Sequence, residues 1–226
     1  HLTAETAVPL CDGNTIGVVA VLGSTQDGSY EPVAAIAAAL QTLQDTGGPD
    51  VPLHVDAASG GFIAPFLQPD LMWDFRIERV VSINTSGHKY GLVYPGVGWV
   101  IWRDREALPQ ELIFEVHYLG GSMPTFALNF SRSGSNVIAQ YYQLIRLGFE
   151  GYRRVQQSCQ DTALHLAEQV AKIGQFRLLH DGRELPVFAV TGDPDAGGSG
   201  HGGHGGAPQP GGHDPAERPP ANTQAT

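Results

Sequence analysis

Basic residues are scarce in this chain. Lysine and arginine total 13 against 23 aspartates and glutamates, giving a formal net charge of −10. A sequence-independent grip on nucleic acid or anionic lipid needs a basic face, so this balance argues against both partners. Cysteine is nearly absent: Cys11 and Cys159 stand far apart and in no metal-ligand spacing. That leaves no disulfide framework and no metal site to expect, and it fits a reducing cytoplasm. No run approaches the roughly 20 apolar residues of a membrane span. The opening "HLTAETAVPL" lacks an initiator methionine, a basic n-region and an apolar h-region, and reads as the interior of a longer chain.

What is present is ordinary globular content, 42% hydrophobic over 226 residues, enough for one packed body. "NTIGVVAVLGST" is a β-branched run closed by Gly-Ser-Thr, a buried strand followed by a loop. "YEPVAAIAAALQTLQ" supplies the next helix, with Glu31 and Pro32 at its positive end and "TGGPD" as its stop. "VPLHVDAASGG", "RVVSINTSGHKYG" and "GVGWVIWRD" follow as three more strands. Strand, helix and strand in the first 58 residues read as a crossover unit, predicting an α/β fold with a mainly parallel sheet and flanking helices; the strand order past Asp56 is not legible.

The segment from Ser135 to Gly174 predicts two helices joined near Gly148 and Gly151. "QFRLLHDGRELPVFAVTG" predicts two short strands around a turn, as at the start of a second subdomain. From Thr191 onward, 10 glycines and 6 prolines in 36 residues leave almost nothing to bury, which predicts a disordered low-complexity tail.

The chemistry concentrates at two strand ends. Asp56 closes "LHVDA", at the edge of an open α/β sheet where ligands collect. Lys89, in "SGHKYG", follows 33 residues later at the end of the next strand. A lysine there either snorkels to water or is held in a pocket as an amine nucleophile. Asp56 either caps the next turn or faces a ligand. Taken together, the amine and the carboxylate are the pair that pyridoxal 5′-phosphate requires, one for its aldehyde carbon and one for its ring nitrogen. Ser86 and Thr25 serve equally as turn hydroxyls, and His88 as a structural histidine.

A longer set of segments carries a resemblance: "CDGNTIGVVAVLGST", "HVDAASGGFIAPF", "WDFRIERVVSINTSGHKYGLVYPGVGWVIWRD", "ALPQELIF", "YLGG", "TFALNFSR" and "VIAQYYQLIRLGFEGY". Over about residues 8 to 175 the chain resembles the bacterial glutamate decarboxylases, group II pyridoxal-phosphate enzymes of fold-type I. The resemblance implies part of a cofactor-binding large domain at 1–175 and the start of an incomplete small domain at 176–190, ahead of the low-complexity tail at 191–226. It implies decarboxylation of L-glutamate to 4-aminobutanoate and carbon dioxide. It makes Lys89 the Schiff-base lysine, Asp56 the partner of the pyridinium nitrogen, and Ala58 the residue packed on one ring face. By the same resemblance Thr25 would lie near lysine, cofactor and substrate carboxylate, and Ser86 and His88 would hold the phosphate. Tyr118 and Leu119, by themselves a loop or hairpin, become a flap reaching a neighbouring subunit of a homo-oligomer, a dimer or a hexamer of dimers.

The resemblance also implies an upstream half with a serine pair for the phosphate, and a C-terminal arginine for the substrate α-carboxylate, for which no residue here qualifies. Two other readings therefore stand beside glutamate decarboxylase: a non-catalytic truncated fragment with a flexible tail, and another pyridoxal-phosphate amino-acid decarboxylase.

Overall fold

The computed structural model describes residues 1–118, 120–126 and 132–192, all within one compact unit, His1–Asp193. The disordered tail is expected from Thr191, but Thr191 and Gly192 pair in the last strand; the rest, from 193, lies outside the described residues.

Helix α1 (Ala4–Ala7) starts at Thr3, whose hydroxyl accepts from the Thr6 amide, while the Thr6 hydroxyl accepts from the Thr3 amide. Strand β1 (Val18–Val21) follows, then helix α2 (Val33–Asp45) and strand β2 (Leu53–Asp56). β1 and β2 run parallel, with Val18 opposite Leu53 and Val21 opposite Asp56. The crossover unit read from the sequence is therefore present. In α2 the buried residues Val33, Ile36, Ala37 and Leu40 fall at the i, i+3, i+4, i+7 spacing of one helix face. They share an apolar cluster with Ala20, Leu53, Val55, Val80 and Ile83 of the sheet.

A short helix α3 (Ala64–Leu67) leads to strand β3 (Val80–Ser86), parallel to β2, and strand β4 (Gly98–Trp102), antiparallel to β3. The sheet order is β1-β2-β3-β4. A tight return suits β4, because an antiparallel neighbour needs no crossover helix. Arg79 ties the far end of this layer together. Its guanidinium donates to Asp50, to the Val51 carbonyl and to Gln41 and Gln44 at the end of α2.

Strands β5 (Phe114–Tyr118) and β6 (Gly121–Thr125) form a separate antiparallel hairpin, as the loop-or-hairpin reading of that stretch allowed. Helix α4 (Ser135–Lys172) is two helices in series, broken at Gly148, whose φ of 60° and ψ of −172° lie outside the helical region. Only a residue without a Cβ adopts that conformation cheaply, so the expected joint falls where the sequence put it. Strands β7 (Phe176–His180) and β8 (Ala189–Gly192) close the described chain as a second hairpin. The connection between them is anchored by Glu184, which accepts from the Tyr30 amide at 2.8 Å, and by Gln68, which donates to the carbonyls of Arg183 and Glu184.

Glu31 does something other than favour the start of α2. The side chain is buried, and its two carboxylate oxygens accept from the amides of Leu2 at 2.5 Å and Val21 at 2.7 Å, stitching the N-terminal segment onto β1. Glu31→Ala leaves both amides without that acceptor. Hydrogen bonds to a charged group contribute about 1.5–3 kcal/mol, so a loss on the order of 2 kcal/mol is expected in urea unfolding. An unchanged denaturation midpoint would show that water replaces the carboxylate at no cost.

Candidate active site

Parallel pairing puts the C-terminal ends of β1, β2 and β3 side by side. The loop after β1 carries Thr25, β2 ends at Asp56 and continues into Ala58 and Ser59, and β3 ends at Ser86 before His88 and Lys89. The ladder extends past the strand ends: the Ala57 amide donates to the Asn84 carbonyl at 3.0 Å and the Ser86 amide to the Ala58 carbonyl at 3.1 Å. The two loops that bear the aspartate and the lysine are thus joined at their roots.

A register step decides which side chains meet there. Leu53 pairs with Val80, but His54 pairs with Ser82, Val55 with Ile83 and Asp56 with Asn84, so one extra residue of β3 is accommodated between the first two pairs. Side chains alternate along a strand, and a slip of one residue exchanges the faces. With the step in place, Val55 and Ile83 face the α2 core together, and His54, Asp56, Ser82 and Asn84 share the opposite face.

On that face the polar groups form a chain. The Asn84 amide nitrogen donates to Asp56 Oδ1 at 2.8 Å, and the Ala58 backbone amide donates to the same oxygen at 3.1 Å. His54 Nε2 lies 2.7 Å from Asn84 Oδ1, and its Nδ1 lies 2.7 Å from Ser82 Oγ. His54, Ser82 and Asn84 were not singled out from the sequence. The signal was available in "HVD" and "SIN", two polar-apolar-polar triplets at strand period on neighbouring strands.

Lys89 sits on a tight loop. The Gly87 amide donates to the Val97 carbonyl at 3.1 Å, and Lys89 Nζ donates to Ser59 Oγ at 3.2 Å, bringing the lysine onto the segment that follows Asp56. His88 Nδ1 is 3.1 Å from the Val97 carbonyl, an acceptor, so this nitrogen carries a proton and donates. Leu92 has a φ of 65°, a left-handed conformation that a branched side chain adopts only under constraint.

The constraint comes from α4. Gln140 donates to the Gly91 carbonyl at 2.9 Å, the Tyr152 hydroxyl donates to the same carbonyl at 2.9 Å, and Gln156 donates to the Tyr90 carbonyl at 2.7 Å. Gln143 reaches the Leu92 carbonyl at 3.3 Å. Gly87 fits beneath this grip, since a Cβ there would lie 2.7 Å from Val97 Cγ1 and closer still to Gln140 Oε1. Tyr152 is held in turn by rings, with Phe66 stacked at 5.2 Å and Phe62 at 5.7 Å. Burial pushes the Tyr152 phenol above its ordinary range, and the hydrogen bond from Gln140 offsets part of that rise. Burial likewise raises the Tyr90 phenol, with electrostatic interaction with Cys159 adding to it.

The structure thus gathers Asp56, Ala58, Ser86, His88 and Lys89 at two adjoining strand ends. Thr25 lies on the next strand's loop, exposed, with no side-chain hydrogen bond to the others among the described residues. Tyr118 ends β5 opposite Gly121, and Leu119 lies outside the described residues. Among the described residues, no group of His, Cys, Asp or Glu is arranged to hold a metal ion.

The pattern of the pyridoxal-dependent decarboxylase conserved domain matches residues 4–190. A glutamate decarboxylase of Aliivibrio fischeri is 58% identical over 182 residues, covering 80% of this chain and 39% of that protein. The structure of a Lactobacillus brevis glutamate decarboxylase superposes with a TM-score of 0.81 at 51% identity, covering 86% of this chain and 44% of that one. A sphingosine-1-phosphate lyase of Burkholderia pseudomallei superposes at 0.70 with 30% identity, covering 85% and 43%. The chain therefore spans about two fifths of the relatives it matches.

Tyr152→Phe removes one of the two donors on the Gly91 carbonyl and should cost about 1 kcal/mol of stability. It should also speed amide exchange at Leu92 and Val93, whose amides donate within the loop. Because the folded phenol is raised, its contribution is complete below the ordinary tyrosine value of about 10 and fades as pH rises through the folded value. The gap between the two proteins should accordingly narrow in alkaline urea titrations. A gap constant to high pH would exclude the phenol as the source.

Proposed function

The chain belongs to the pyridoxal-dependent decarboxylases, and on that premise we propose that it provides the lysine and the acid of a centre that decarboxylates L-glutamate to 4-aminobutanoate and carbon dioxide. The observation that carries this reading is the placement of an amine and a carboxylate, Lys89 and Asp56, at the ends of adjoining parallel strands, with the Lys89 amine bonded to Ser59 on the segment that follows Asp56.

The residues present fit pyridoxal 5′-phosphate. Lys89 is exposed, and among the described residues its amine makes one long hydrogen bond, to Ser59 Oγ. Asp56 Oδ1 is engaged by two donors, whereas Oδ2 has no partner among the described residues. When bound, the cofactor supplies an electrophilic carbon for amines and a ring that accepts the electron pair freed as a carboxylate departs. Lys89 would hold it covalently through Nζ until the substrate amine takes that place. Asp56 Oδ2 would hold the proton on the ring nitrogen, keeping the ring electron-poor. Ala58 has the small side chain a flat ring needs beside it. Ser86 would donate its hydroxyl to the phosphate. His88, with Nδ1 committed to Val97, would meet the phosphate through Nε2 where that nitrogen carries a proton. Thr25 offers an exposed hydroxyl to the substrate carboxylate.

We place the working protein in the cytoplasm as a homo-oligomer, a dimer or a hexamer of dimers. Supporting the first are two free thiols, Cys11 and Cys159. Supporting the second is the β5–β6 hairpin, which bears exposed Phe114, Val116 and Met123 and fits a flap onto a neighbouring copy. We assign 1–175 to the cofactor domain and 176–190 to the start of the next.

The chain has two lysines, Lys89 and Lys172, which makes the assignment easy to test. After incubation with the cofactor and borohydride reduction, peptide mass spectrometry should find the phosphopyridoxyl label on Lys89 and none in Lys89→Ala. In the full-length protein, Asp56→Asn should retain the label yet slow carbon dioxide release from glutamate on the order of 100-fold, the scale of losing one preorganised electrostatic partner. Label confined to Lys172 or the N-terminus, or full activity in Asp56→Asn, would sink the assignment.

A further inference from the structure

We propose that Ser82, His54 and Asn84 are positioning residues that fix the rotamer of Asp56 and present its Oδ2 to the cofactor ring, an inference that rests on the function proposed above.

The hydrogen-bond chemistry leaves little freedom. A carboxylate only accepts, so the Asn84 group 2.8 Å from Asp56 Oδ1 is its amide nitrogen, which turns Asn84 Oδ1 toward His54. An amide oxygen also only accepts, so His54 Nε2, 2.7 Å away, carries the proton. In the neutral ring Nδ1 is then an acceptor, and the Ser82 hydroxyl at 2.7 Å is its donor. With the ring neutral, the direction runs one way: Ser82 to His54, His54 to Asn84, Asn84 to Asp56. Each donor orients the next acceptor, and the last one, with the Ala58 amide, saturates Oδ1. The remaining oxygen is thereby fixed in direction. All four residues sit in β2 and β3, rigid elements whose register step puts them on one face, so the aim is set before any ligand arrives.

A side chain that acts through Asp56 should matter only while Asp56 is present, and a double-mutant cycle reads that. In the whole protein, cofactor affinity measured by fluorescence titration should fall about tenfold in Asn84→Ala, the equivalent of ~1.4 kcal/mol. Asp56→Ala should also weaken it. The double variant should match Asp56→Ala within twofold, whereas a merely structural role for Asn84 would make the losses multiply. His54→Leu should behave as Asn84→Ala, and His54→Gln, which keeps a donor toward Asn84, should recover the original affinity within twofold. Without cofactor, nitrogen NMR of the His54 ring should find its proton on Nε2, and Asp56→Ala should shift the Asn84 amide protons. Multiplying losses, no rescue by glutamine, or a proton on Nδ1 alone would overturn the relay. Absence of cofactor uptake at Lys89 by the unsubstituted protein would overturn the function proposal instead, and the relay's purpose with it.

Discussion

The extra residue of β3 accommodated between Leu53 and His54 is the constraint on which the rest of the molecule turns. A parallel pair in continuous register would set His54 against Val81 and Asp56 against Ile83, mixing polar and apolar side chains on each face. The step restores the sorting. Val55 and Ile83 go to the cluster formed with α2, and the four polar residues go to the other side, where they can satisfy one another. Core and site are therefore two faces of one pairing. A change that destroyed the register would lose both together, since neither face can be assembled while the other is scrambled.

Stability and chemistry are nonetheless carried by different contacts. The apolar cluster, the Arg79 tie and the Glu31 stitch lie at the α2 side of the sheet or near its ends. The loop with Lys89 is steadied from elsewhere, by side chains of α4 reaching its backbone. Gly148 matters to that division. The break lets one half of α4 deliver Gln140 and the other half deliver Tyr152 to the same carbonyl, with different headings for the two segments. The strained Leu92 backbone is a consequence of holding the turn so tightly.

How much of this was legible beforehand follows the reach of each signal. Local patterns were reliable: the β-branched runs became β1, β2 and β3, the alanine-rich stretch became α2, and the glycines in the long helical segment marked its break. The candidate residues near Asp56 and Lys89 gathered because adjoining parallel strands end together. Non-local choices were not legible. Nothing local in "GVGWVIWRD" says that β4 runs antiparallel, and nothing in the strands spells out their relative offset, which depends on what each face must pack against. Glu31 looked like a helix-start residue because its neighbours supplied that context; its partners, Leu2 and Val21, are 29 and 10 residues away. The polar triplets around His54 and Asn84 were visible as alternation, but their joint meaning required the pairing.

The grip of α4 on the lysine loop has one further property. Gln140, Gln143, Tyr152 and Gln156 all bind main-chain carbonyls, those of Tyr90, Gly91 and Leu92, and none of them depends on a side chain of the loop. The two partners in this contact therefore differ in evolutionary latitude. A substitution at position 90 or 92 that keeps the backbone conformation keeps the same carbonyl, so a new side chain beside Lys89 need not loosen the loop's mount, although the left-handed φ of Leu92 narrows which residue types fit there. The helix has no such freedom: Gln140 and Tyr152 bond to each other as well as to the loop, so a change at one must be answered at the other.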